Sequence, residues 1–211
     1  MKQNTRHGGR RCALVLCATA LIAGAVAGCG EKKNAPSRLA IAYSNDLWGE
    51  IRSCGCAAKD LGGLGRRATF LKALQDTTGD VLIVEAGDFF SSNINYGIEK
   101  ADVTMRSMAL MGYHGVVIGE DELGFGLDYF LRRSHEVRLP IVVANLFDTV
   151  ADTLIFPPSR IVTMKSGLRV GIAGVMGSQL QLPPQVPGGM LEIRDPAASV
   201  QPVVDALRGD A

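Results

Sequence analysis

Three short apolar runs in this chain each break into acidic residues. They are Leu39-Ala40-Ile41-Ala42-Tyr43-Ser44 before Asn45-Asp46, Val81-Leu82-Ile83-Val84 before Glu85-Ala86-Gly87-Asp88, and Val116-Val117-Ile118 before Gly119-Glu120-Asp121-Glu122. Apolar, β-branched runs of this length, bounded by polar or Gly residues, read as interior strands. Between them the apolar spacing changes to that of helices. Phe70, Leu71 and Leu74 mark a helix over 66–75, and Val103, Met108 and Met111 mark one over 101–111 with Gly112 as its stop. The methionines read as core filling. A third helix is predicted over 127–135 and a further strand over 139–145, with Pro140 at its start, where a missing donor costs least. A hairpin follows, 161–164 with 169–175, turning at Ser166-Gly167. After a Pro-rich loop over 182–189, Asp195-Pro196 opens a last helix through Val200, Val203, Val204 and Leu207. Strand and helix signals alternate throughout, which predicts a layered α/β fold.

In open α/β sheets ligands collect outside the carboxyl ends of the strands. Asp46, Asp88, Glu120 and Asp121 are therefore expected to meet at one rim. Carboxylates gathered in this way repel one another unless a cation holds them, and divalent metals suit such oxygen donors. Any one of these acids alone would read as the start of a solvated loop; three successive strand ends favour a site. His114 and His135, the histidines outside the N-terminal segment, read as structural or surface residues. The formal net charge of +1 gives no reason to expect a nucleic-acid partner.

The N-terminal segment has the features of an export signal. Lys2, Arg6, Arg10 and Arg11 give a positive start, and the apolar run from Cys12 to Ala27 is shorter than the roughly 20 residues of a spanning helix. It closes on Ala25-Val26-Ala27-Gly28-Cys29, which resembles the lipobox of bacterial lipoproteins. The expectation is a signal peptide over 1–28, lipid on Cys29, a tether over 29–38 and one domain over 39–211. Such a protein would be anchored to a bacterial membrane in the cell envelope, facing the periplasm or exterior. Cys54 and Cys56 remain as a Cys-Gly-Cys pair, able to ligate a soft metal, exchange disulfides or close a small ring.

The order of these signals resembles the 5′-nucleotidase branch of the calcineurin-like metallophosphoesterases. Ser44-Asn45-Asp46-Leu47-Trp48-Gly49 stands where members have Thr-Asn-Asp-x-His-Gly, and Gly62-Gly63-Leu64-Gly65-Arg66-Arg67-Ala68-Thr69 where they have Gly-Gly-Leu-Ala-Arg-Arg-Ala-Thr. Ala86-Gly87-Asp88-Phe89 and Met111-Gly112-Tyr113 match similar segments, and Gly119-Glu120-Asp121-Glu122 falls at Gly-Asn-His-Glu. The resemblance implies a layered α/β sandwich of metallophosphoesterase type and a divalent-metal site (Mn, Zn, Fe or Mg, as many as two ions) acting on a small phosphorylated substrate. It places Asp88 as the bridging ligand, Asp46 and Glu120 as further ligands, and Asp121 in the place of a catalytic His. Trp48 stands where a His ligand belongs, and indole cannot bind a metal. The family's later His motifs lie beyond Ala211, so the resemblance predicts a sandwich incomplete at its C-terminal side, with an apolar sheet face covered by a dimer or another partner. Two functions follow: a metal-dependent phosphoester hydrolase, truncated or of reduced activity, or a non-catalytic relative serving as a metal- or thiol-binding scaffold.

Overall fold

The structure, a computed structural model, describes residues 38–55, 61–91, 93 and 97–210. Strands β1 (Ala40–Ser44), β2 (Val81–Glu85) and β3 (Gly115–Val116) form a parallel sheet in that order. Val81, Leu82 and Ile83 of the central strand are all buried, as a strand covered on both faces requires. The crossovers are helices α1 (Leu64–Thr78) and α2 (Ile98–Met111), which pack on each other. Gly112 ends α2 in the left-handed conformation, and its N–H bonds back to the last turn. Met108 is fully buried, in keeping with the core role read from its spacing, as is Met105; Met111 is half-buried and Val103 is exposed.

After β3 come a 3₁₀ turn at Asp121–Leu123 and helix α3 (Leu127–Glu136). The predicted strand over 139–145 is instead an extended connector with one bridge, Val116 to Ile141. Its successive groups bond to different neighbours: Val142 N–H to Val116, Val143 N–H to Pro157 and Ala144 N–H to Gly174. A segment that serves three partners builds no ladder with any of them. Strand β4 (Leu146–Asp148) follows and pairs antiparallel with β5 (Thr153–Leu154) and β8 (Leu191–Ile193), two short strands without a clear apolar run. The hairpin is β6 (Ser159–Thr163) with β7 (Arg169–Ala173), and helix α4 (Pro196–Asp210) closes the described chain.

Side chains alternate across a strand, and β7 uses both of its faces. A Cβ on Gly115 would come 2.9 Å from Ile172 Cγ2, while one on Gly171 would come 3.2 Å from Leu207 of α4. The hairpin is therefore layered between the parallel sheet and α4. Asp80 ties the turn down by accepting from the backbone N–H and hydroxyl of Ser166. An aromatic cluster of Phe89, Phe90, Phe130 and Phe156 fills the core directly behind the carboxyl ends of the strands. At the other margin β1 pairs, among the described residues, with β2 alone, and Ile41 and Tyr43 stand 59% and 78% exposed. Residues 1–37, including the expected signal, Cys29 and nearly all of the tether, lie outside the described residues. No described helix is long and apolar enough to cross a membrane.

Candidate functional site

The β1 and β2 strands remain joined beyond their ends. Ala86 N–H donates to Ser44, Asp46 N–H to Gly87, Trp48 N–H to Asp88 and Gly49 N–H to Phe89, at 2.8 to 3.1 Å. This backbone zipper is what sets the Asp46 loop beside the Asp88 loop. Asp46, Trp48 and Asp88 all have positive φ (51°, 48° and 55°), a conformation rare for residues with a Cβ. Strain concentrated in this way, in two adjoining loops, is characteristic of sites that the surrounding structure holds in place.

The third strand end is joined just as closely. Gly87, at φ 107°, has no room for a side chain, since a Cβ there would lie 2.8 Å from the Gly119 backbone nitrogen. A Cβ on Gly119 would in turn overlap the Asp88 carboxylate. Two facing glycines thus let the Asp88 and Glu120 loops meet. Glu122 locks the junction: fully buried, it accepts backbone N–H bonds from Asp88 at 3.0 Å, Phe90 at 2.8 Å and Gly119 at 2.7 Å. Burial pushes its carboxyl up to about 8, against the pull of those donors. In the sequence Glu122 reads as one acid among three in a loop. Its only signal is its place between Asp121 and the buried Leu123, and tertiary packing alone turns that place into an enclosed one.

Asp88 lies within electrostatic reach of Asp46 and Glu120, and Asp121 within reach of all three. Burial raises the Asp88 carboxyl above the ordinary range, with the charges of Glu120 and Asp46 adding to it. Burial likewise lifts Asp121 to about 6, reinforced by Asp88, Glu120 and Asp46. Asp88 Oδ1 and Glu120 Oε2 are buried without a hydrogen-bond partner. Buried acceptor oxygens without donors are costly, and a cation is the group that relieves them. Among the described residues, no three His, Cys, Asp or Glu side chains are gathered tightly enough to hold a metal ion as they stand. The donors therefore fit a divalent cation in chemical kind but not in their present placement.

Cys54 is exposed, its N–H bonded to Leu61 at 2.8 Å, and Cys56 lies outside the described residues. His114 accepts the Ile83 N–H on Nδ1 at 3.0 Å, which puts its proton on Nε2. Burial and Arg160 hold its pKa down, so it is a neutral structural histidine. Trp48 is 62% exposed beside the rim.

A second polar group supports the first from below. Ser44 donates to Glu85 at 2.5 Å, and Arg67 donates to Ser44 at 2.8 Å, to Tyr113 at 2.9 Å and to Glu85 at 3.5 Å. Burial pushes Glu85 up to about 7, opposed by Ser44 and Arg67. Sequence reasoning passes over this set because Glu85 closes an otherwise apolar strand and its partners are up to 41 residues away.

No family model matches the chain. It is 26% identical over 185 residues to the bovine 5′-nucleotidase, covering 82% of this chain and 32% of that protein. The chain is similar to 5′-nucleotidases over most of its length. Among solved structures it resembles the 5′-nucleotidase precursor of Thermus thermophilus, with a TM-score of 0.70 and 22% identity over 82% of this chain and 35% of the other. The calcineurin-like phosphoesterase YfkN of Bacillus subtilis gives 0.66 and 19%, over 82% of this chain and 59% of the other. The fold is that of calcineurin-like phosphoesterases, and the match covers the N-terminal part of the relatives. The chain spans about a third of the length of the bovine enzyme.

Proposed function

We propose that the chain supplies the carboxylate half of a divalent-cation-dependent phosphoester hydrolase site of 5′-nucleotidase kind, acting on small phosphorylated substrates. The observation that carries this reading is the pair of buried, unpartnered oxygens on Asp88 and Glu120, at adjacent strand ends of a phosphoesterase fold. Asp46, Asp88 and Glu120 are the residues that would hold the cation. When bound, it would polarise a phosphoryl group and lower the pKa of a water. The Glu122 bonds keep the two loops from separating, and the Asp46 loop is held by the backbone zipper. Asp121, raised by burial and by the neighbouring acids, stands beside the residues that would hold the cation.

The N-terminal residues support an envelope location, with Cys29 as the lipid attachment point and the domain outside the cytoplasmic membrane. The exposed Ile41 and Tyr43 of β1 support a second copy or another polypeptide covering that margin. One observation favours a cation-binding relative without turnover. Among the described residues, the charges that act on Asp121 are the acids Asp88, Glu120 and Asp46, none of them a cation that could stabilise a transferring phosphate.

The test is hydrolysis of p-nitrophenyl phosphate and nucleoside monophosphates by the full chain with Mn2+, beside Asp88→Asn. Turnover that the substitution abolishes supports the hydrolase. A cation-loaded protein inert across the panel would leave the binding relative in its place. Growth with a clickable fatty acid, comparing Cys29→Ser, tests the anchor; label retained in the variant would refute it.

A further inference from the structure

We propose that the outer edge of β6 is a docking site for an extended, acidic segment of another polypeptide, which adds to the hairpin as a third strand. The backbone carries the first part of this inference. Met164 N–H donates to Leu168 at 2.8 Å, and bonded pairs alternate along an antiparallel ladder. Arg160 and Val162 therefore bond inward to Ile172 and Val170, while Ser159, Ile161 and Thr163 direct their N–H and C=O groups away from β7. Among the described residues no backbone group meets them. Pro157 and Pro158 stand before the strand, so no proline blocks its edge. A free edge of this kind takes an added strand through main-chain bonds, and pockets beside it read alternate side chains.

Pockets flank this edge on both sides. Towards the parallel sheet, a cleft of about 1000 Å³ runs between β6 and the last turns of α3, floored by Leu139, Ile141 and Phe156. Towards α4, a cleft of about 520 Å³ is lined by Val203, Ala206 and Leu207. Ser159, Arg160 and Ile161 line both. Arg160 stands opposite Ile172, which faces the sheet at Gly115, and Ile161 stands opposite Gly171, which faces Leu207. An added strand would alternate in the same way, filling both clefts at once. Charge sets its chemistry. The sheet-side cleft carries His135, Arg132 and Arg160, and among the described residues neither arginine has an ion-pair partner. The one acid lining that cleft, Glu136, is already paired with Arg133. The row of the added strand beside Arg160 is therefore Asp or Glu, and the row facing α4 is apolar. Two copies of this chain pairing there would set cation against cation, which opposes self-association.

The probe is a fluorescent peptide, Ser-Glu-Val-Glu-Val-Glu-Ser, titrated with the full chain and followed by anisotropy, beside the same peptide with Lys in place of Glu. The Glu peptide is expected to bind, and the Lys peptide to bind at least about tenfold more weakly. Arg160→Glu and Arg132→Glu should each weaken the Glu peptide by about the same factor; if one variant fails to fold, the other carries the test. Hydrogen exchange reads the edge itself. Ile161 and Thr163 amides should exchange readily in the free chain and slow at least about tenfold with the peptide, while Val162, bonded inward, is slow in both. Methylating the Val amides in one peptide and the Glu amides in another removes donors from opposite sides of the strand, so one form should lose binding and the other keep it. No binding of the Glu peptide below about 1 mM, equal binding of the Lys peptide, affinity unchanged in both variants, no added protection at Ile161 and Thr163, or tolerance of both methylations would each overturn the proposal. So would a dimer of the free chain that protects the same amides, since the edge would then belong to a second copy.

Discussion

Asp88 and Gly119 are so close that a single methyl group on Gly119 would occupy the space of the Asp88 carboxylate. Gly119 has no positive φ, so its need for glycine is one of space and not of backbone conformation. Gly119→Ala is expected to cost about 1–3 kcal/mol through overpacking and to push Asp88 off its present rotamer. Urea unfolding measures the first effect. The second shows as weakened Mn2+ binding, and a variant with wild-type stability and affinity would contradict the contact.

Glu122 is the bolt of the same junction. Glu122→Ala leaves the N–H groups of Asp88, Phe90 and Gly119 without acceptors in a buried place. Each buried unsatisfied donor costs about 1–3 kcal/mol. The expected loss is about 3 kcal/mol or more, read from the urea midpoint at unchanged slope, with amide exchange accelerated at those three positions.

Much of this is legible in the primary structure, and the limits have physical causes. The central strand announces itself because a strand buried on both faces must be a continuous apolar run, as 81–84 is; 39–44 reads as equally interior, but Ile41 and Tyr43 of β1 are exposed. The rim acids are found because they follow those runs directly. The stretch 139–145 misleads for the same reason: Ile141, Val142 and Val143 are buried, but their hydrogen bonds go to three separate segments. Strands β5 and β8, of two and three residues, are too short to show a period. Glu122 and Glu85 are invisible as buried groups because their partners are remote in sequence. No periodicity marks a carboxylate that tertiary structure will enclose.

Glu85 makes stability depend on pH in a stated direction. Its folded pKa of about 7 stands above the ordinary 4.5. The native state therefore keeps its proton to higher pH than the unfolded chain does. Below pH 4.5 the group has no effect; as pH rises from there to about 7 it lowers stability, and above that its effect is constant. The full decline is about 3 kcal/mol. Arg67 and Asp46, the charges facing it, act in opposite senses and are already part of that balance. Glu122, Asp121 and Asp88, also raised, lower stability in the same direction, so urea unfolding across this range should show a decline in the wild type that is smaller by about 3 kcal/mol in Glu85→Gln. A decline of equal size in Glu85→Gln would show that Glu85 takes no part in it.

Without a cation, Asp88 is a burden on the fold, since its buried Oδ1 has no donor and Glu120 and Asp46 repel it. Metal-free Asp88→Asn is expected to be at least as stable as the wild type, by about 1 kcal/mol, because stability and function oppose each other at such sites. Differential scanning calorimetry in chelator measures this. Addition of Mn2+ should then raise the melting temperature of the wild type alone.

Anomalous diffraction from crystals soaked in Mn2+ locates the ion itself. The account predicts one peak within about 2.0–2.6 Å of Asp88 Oδ1 and Glu120 Oε2, with Asp46 beside it. A peak at Cys54, or none at the rim under saturating Mn2+, would contradict it.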